Sequence, residues 1–182
     1  KTMNPQTVGA PILGAAAVTT YVIPYEITVQ PLILSSAVTT VAFPAISRLL
    51  STDQEQAKRL FNRWLPRVLV VMVVGLTVLA VILPTLLTVW LHTPADPASV
   101  AVGRILCIGV IANSMGAMYF ALLHARGKTR VTAIVHLIEA PLYAGALVLL
   151  VRYFGVEGAA VAWALRMLFD TACLKVLSKE AV

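Results

Sequence analysis

Three observations in the sequence predict an all-α fold, a polytopic bundle of about five transmembrane helices. First, hydrophobic residues fill 59% of the 182 positions and charged residues only 12%, against about 45–50% and about 25% in soluble globular domains. So few charges cannot coat a soluble surface of this size. Second, five apolar stretches reach the roughly 20 residues a helix needs to cross a hydrocarbon core of about 30 Å. Third, the 14 Lys and Arg residues, set against 8 Asp and Glu, punctuate those stretches and form no single patch. The balance excludes a soluble enzyme domain, a disordered tail and a disulfide scaffold, and nucleic acid is not an expected partner.

The spans follow in order as one transmembrane domain. The first covers about 16–46, after a Pro- and Gly-containing lead-in from Asn4 to Gly14. Pro24, Pro31 and Pro44 interrupt it, and interior prolines free carbonyls and bend helices. The second span covers about 68–91, the third 100–123, the fourth 131–151 and the fifth 156–177. Lipid cannot hydrogen-bond a backbone, so unbroken apolar runs of this length are helices and not alternating barrel strands. The connections are a Pro-containing loop from His92 to Ala98, a basic turn from Arg126 to Arg130 and a Gly-bounded turn from Arg152 to Gly158.

The polar segment 48–67 stands apart. Ala57, Leu60, Phe61, Trp64 and Leu65 recur at helical spacing, with Lys58, Arg59 and Arg63 opposite. Thr52 and Glu55 have capping-box spacing before this stripe. Two readings stand: an amphipathic helix on the membrane surface, or a plain extension of a neighbouring helix.

Basic residues set the expected orientation. Arg48, Lys58, Arg59, Arg63, Arg67, then Arg126, Lys128, Arg130, then Lys175 and Lys179 fall on one side of a five-span protein. Lys1, Arg104 and Arg152 fall on the other. By the positive-inside rule the 48–67 segment, the Arg126–Arg130 turn and the C-terminus are cytoplasmic. Five is an odd count for a transporter, so further helices are expected before Lys1.

Catalytic signatures are absent. Gly127-Lys128-Thr129 imitates the end of a P-loop, but the glycine required five residues earlier is Leu122. No HExxH, GxSxG or GxGxxG occurs. Cys107 and Cys173 lie in separate apolar runs and read as packing residues. No catalytic residue, metal site or cofactor is expected.

Ionisable residues inside spans face a cavity or a partner, because lipid penalises them heavily. Glu26, Glu139, Arg166 and Asp170 are of this kind. Arg166 and Asp170 share a helix face at i, i+4, either on a polar lumen or as a mutual ion pair. His136 and Glu139 share a face beside Pro141, as a protonatable pair on a transport path or as a helix–helix hydrogen bond. Glu26 and Gln30 share a face of the Pro-broken first span, and Asn113 lies in the third. These seven residues are the substrate-cavity candidates. His92 and His124 sit near span ends, and Trp90 and Tyr153 read as interfacial anchors. Ala112/Gly116, Gly158/Ala162 and Ala160/Ala164 have the small-xxx-small spacing of close helix contacts.

An ordered set of segments resembles a known family. These are Ala15 to Val18 with Tyr21-Val22-Ile23-Pro24-Tyr25-Glu26, Val41-Ala42-Phe43-Pro44-Ala45-Ile46-Ser47-Arg48, His136 to Tyr143, and Gly155 to Ala160 with Ala162-Trp163 and Arg166 to Asp170. Together they resemble late helices of the bacterial Wzx-type polysaccharide and O-antigen flippases, within the multidrug/oligosaccharidyl-lipid/polysaccharide superfamily. The resemblance implies two helical bundles around a central cavity, with this chain forming most of the second bundle. It implies a flippase of the bacterial inner membrane that moves undecaprenyl-diphosphate-linked oligosaccharide by alternating access. The implied partners are that lipid-linked glycan, membrane lipids and glycan polymerase machinery. A multidrug or peptidoglycan-precursor exporter of the same superfamily, or a non-transporting scaffold subunit, are the alternatives. Intact-mass measurement of the native gene product is expected to give more than twice the mass of these 182 residues. A product beginning at Lys1 would require a partner subunit for any enclosed cavity.

Overall fold

A computed structural model describes residues 15–179, with side chains from Thr19 onward. Lys1, the Asn4–Gly14 lead-in and the side chains of Ala15 to Val18 lie outside the described residues. The fold is all-α: α1 (Ala15–Val29), α2 (Leu32–Thr52), α3 (Gln54–Leu91), α4 (Pro97–Ala125) and α5 (Thr129–Lys179). Among the described residues there are four runs long and apolar enough to cross a membrane, Thr19–Thr52, Gln54–Leu91, Pro97–Ala125 and Thr129–Lys179.

The last run is two helical arms joined at a kink. A straight helix of its 51 residues would be about 76 Å long at about 1.5 Å per residue, far more than one bilayer core. Gly155 reverses it at φ 60°, ψ −134°, a conformation that a side chain would forbid. Arms 129–154 and 156–179 then fold against each other. Gly158 lies directly on the Leu150 carbonyl, Arg166 lies over Tyr143, and His136 meets Asp170. The kink divides the fourth apolar run into two helical arms, close to the count of about five spans that the apolar stretches predict.

The first crossing is α1 and α2 together, broken at Gln30–Pro31. Pro31 heads α2 and has no N–H to continue the ladder of α1. Before the break Thr28 Oγ1 donates within α1 to the Pro24 carbonyl at 2.8 Å; after it Ser35 Oγ ties α2 to α4 by donating to the Ser114 carbonyl at 3.2 Å.

The 48–67 segment is helical and not a loop. Helix α2 runs on to Thr52, and α3 begins at Gln54 after the single residue Asp53. Asp53 is the N-cap, its carboxylate accepting from the Gln56 N–H at 2.9 Å; the expected Thr52–Glu55 capping box does not form. The physical reason for the continuity is register. Ala57, Phe61, Val68, Met72, Leu76, Leu83 and Leu87 are all buried and fall on one helical face. The amphipathic stripe therefore continues into the buried stripe of the second span and packs on the bundle. Phe61 meets Tyr119 with ring centroids 5.6 Å apart.

Helix α4 is the centre. Val102, Leu106, Val110 and Leu123 have no exposed surface. Its glycines permit close approach: a Cβ on Gly103 would collide with Leu83, one on Gly109 with the Trp163 ring, and one on Gly116 with Thr171. Asp96 caps its start by accepting from the Ala98 N–H and the Ser99 hydroxyl, each at 3.3 Å. Contacts run antiparallel between α3 and α4, where Arg104 Nε donates to the Ala80 carbonyl. They run parallel between α4 and the second arm of α5, where Thr171 Oγ1 donates to the Ala112 carbonyl at 2.7 Å. The crossings thus alternate in direction. The α2–α3 junction, the Arg126–Arg130 turn and the C-terminal end of α5 gather at one end, where Arg126 Nη1 donates to the Ser178 carbonyl at 3.3 Å.

The hairpin yields a stability prediction. Gly158→Ala drives a methyl into the Leu150 carbonyl and is expected to cost about 1–3 kcal/mol in detergent unfolding. Gly145→Ala, with open space around its Cβ position, is the control and is expected to be neutral or slightly stabilising. Equal behaviour of the two variants would contradict the antiparallel packing of the arms.

Candidate functional site

The hairpin brings four of the seven cavity candidates together. His136 and Glu139 lie one turn apart on the first arm, and Arg166 and Asp170 lie one turn apart on the second. Antiparallel pairing sets each turn against the other. His136 Nε2 faces Asp170 Oδ1 at 3.3 Å, and Arg166 Nε stands 4.0 Å from Glu139 Oε2. The i, i+4 pair Arg166–Asp170 is therefore not a mutual ion pair; each member pairs across the hairpin. The Arg166 guanidinium also lies over the Tyr143 ring, 5.1 Å from its centroid, a cation–π contact.

Glu139 is 2% exposed and Asp170 9%. Neither Glu139 oxygen has a hydrogen-bond partner, and the same holds for Arg166 Nε and Asp170 Oδ1. At 4.0 Å the Arg166–Glu139 contact is an ion contact without a hydrogen bond. Buried polar groups are normally satisfied, and a buried carboxylate without donors is costly. His136, Glu139 and Asp170 each offer one ligand atom, all within 4.8 Å of one another. Two carboxylates, an imidazole and a guanidinium at this spacing can take up a proton, a cation or a polar group of a ligand.

The cluster has one open side and one packed side. The His136 side chain is 44% exposed and that of Arg166 34%. A cavity of about 160 Å³ opens beside Glu139 and Arg166, walled by Tyr143, Leu165 and Phe169. On the packed side, Phe120 of α4 stacks on the His136 ring at 5.8 Å. Gly116 leaves room for Asp170, whose Oδ2 would lie 3.3 Å from a Cβ there.

The other three candidates are elsewhere. Glu26 and Gln30 are exposed on the outer face of α1 and its break, and Asn113 is half-buried on α4. His124 bonds Thr132 Oγ1 through Nε2 at 2.9 Å. Sequence reasoning missed Tyr143, Phe120 and Thr171. Tyr143 had a usable signal, since it lies four residues after Glu139 on the same face. Phe120 and Thr171 had none, because their roles depend on how α4 meets the hairpin.

Fold and cluster define a multi-pass membrane bundle with ionisable groups held inside its spans. No family model matches the chain, and no solved structure matches it. Among curated proteins, a Shigella flexneri protein named "Putative O-antigen transporter" is similar to it, 28% identical over 170 residues and 91% of this chain. The chain spans 39% of the length of that relative.

The pairing across the hairpin is testable by a double-mutant cycle. Arg166→Met leaves Glu139 buried without its cation. The expected loss is about 1–3 kcal/mol, moderated because Arg166 keeps 34% side-chain exposure. Adding Glu139→Gln is expected to recover part of that loss, giving a coupling of about 1–2 kcal/mol. Strict additivity of the two substitutions in detergent unfolding would rule the pairing out.

Proposed function

We propose that the chain is part of a flippase of the bacterial inner membrane. It moves undecaprenyl-diphosphate-linked oligosaccharide across the bilayer by alternating access, acts as a transporter and not as an enzyme, and has its C-terminus in the cytoplasm. The observation that carries the reading is the His136–Glu139–Arg166–Asp170 cluster, in which Glu139 and Asp170 are buried within the helices and keep polar atoms without hydrogen bonds. Intramembrane ionisable groups of this kind line substrate and ion pathways. Similarity to the Shigella protein supports the transporter class and a polysaccharide-related substrate. The gathering of basic segments at the Arg126–Ser178 end supports the cytoplasmic placement of that end.

In this reading the cavity side of the bundle carries the exposed edges of His136 and Arg166, with Glu26 and Gln30 on the outer face of α1. Arg166 would meet anionic groups of the substrate. The two carboxylates would be neutralised in turn by Arg166 and by a proton or cation, so that substrate binding alters the charge balance between the arms. Asn113 would contribute hydrogen bonds, and glycan polymerase machinery would receive the translocated unit.

The test is complementation of a flippase-deficient strain with the full-length protein. Glu139→Leu and Arg166→Leu are each expected to abolish surface glycan display, at membrane levels of protein equal to wild type. Normal display in both variants would remove the cluster from the transport path and favour a scaffold role.

A further inference from the structure

A second polar site lies at the opposite end of the polarity scale from the buried cluster. It is a cavity of about 480 Å³ at the basic end of the bundle, lined by Ser47 and Leu50 of α2, Gln54, Glu55 and Lys58 at the start of α3, and Arg126 and Lys128 after α4. Three cations converge there against one carboxylate. Among the described residues, neither ion pair involves any of these four groups, and the three cations outnumber the one carboxylate, so the cavity carries net positive charge. Arg126 is half-buried and held by its bond to the Ser178 carbonyl. That burial pushes its pKa below the usual guanidinium value, which makes an anion beside it favourable. The Ser47 hydroxyl and the Gln54 amide supply neutral donors.

We infer that this cavity binds the phosphate headgroup of an anionic membrane lipid. Basic pockets between transmembrane helices at their ends take anionic headgroups by charge and hydrogen bonding. The surroundings favour a lipid over a soluble phosphate. Phe43 lies one turn before Ser47 on the same face of α2 and is 38% exposed. A headgroup seated at Lys58, Arg126 and Lys128 would therefore have apolar helix surface directly below it for its acyl chains. The inference needs only that the helices span the membrane and does not depend on the substrate proposed above.

The test titrates phosphatidylglycerol and phosphatidylcholine against the purified full-length protein in neutral detergent, with bound lipid read by native mass spectrometry. Wild-type protein is expected to retain phosphatidylglycerol about tenfold or more over phosphatidylcholine. Lys58→Gln/Arg126→Gln/Lys128→Gln is expected to abolish the preference, and Lys128→Gln alone to weaken it about fivefold. Arg59→Gln/Arg63→Gln/Arg67→Gln removes as many cations from exposed positions outside the cavity and is expected to leave the preference intact. An equal loss in that control would mean a diffuse basic belt and overturn the site, as would an unchanged preference in the cavity variants. Displacement of the lipid by inorganic phosphate, but not by chloride at equal ionic strength, would keep the phosphate chemistry and overturn the lipid as its source.

Discussion

The reversal at Gly155 is the constraint on which the rest depends. A continuous helix of 51 residues would carry His136 and Glu139 far from Arg166 and Asp170. A glycine at φ 60° and a second glycine seated on the Leu150 carbonyl close the two arms tightly enough for side chains to meet across them. The seam then sets both the crossing count and the site. Helix α4 packs along it through residues that lack bulk, so Gly109 receives Trp163 and Gly116 receives Thr171. Without the hydrophobic effect as a driving force between helices in lipid, such close backbone approach is the main source of association.

The charges follow the same logic. A carboxylate in hydrocarbon is expensive unless it has a partner, and the partner must come from another helix face to be useful in packing. Pairing Arg166 with Glu139 and Asp170 with His136 links the arms at two successive turns. The neighbouring i, i+4 pair Arg166–Asp170 would have neutralised charge within one helix and tied nothing together. Cross-hairpin pairing leaves both Glu139 oxygens, Arg166 Nε and Asp170 Oδ1 without hydrogen bonds.

Much of this was legible in the sequence. Apolar length fixed the spans because bilayer thickness is a hard requirement, and the basic segments foretold which turns would share an end. The i, i+3 and i, i+4 spacings put His136 with Glu139 and Arg166 with Asp170 on common faces. What spacing could not reveal was which face met which, because that depends on the phase of the turn at Gly155. The same limit explains why Phe120 and Thr171 went unnoticed. The 48–67 segment shows the opposite case. Its amphipathic stripe was visible, but its continuity with the second span depended on extending the count from Ala57 and Phe61 through Val68 to Leu87.

The two polar sites sort charge along the membrane normal in a physically coherent way. Groups with unmet negative capacity, Glu139 and Asp170, are shielded within the spans beside a guanidinium and an imidazole. Groups with unmet positive capacity, Lys58, Arg126 and Lys128, stand at the end of the bundle around an open cavity, where water and headgroups can neutralise them. Reversing the arrangement would bury three cations without carboxylates and expose the acids to an anionic surface. The placement that the bilayer tolerates is thus also one in which an anionic lipid group meets cations first, while deeper negative charge remains available to a proton or a cation.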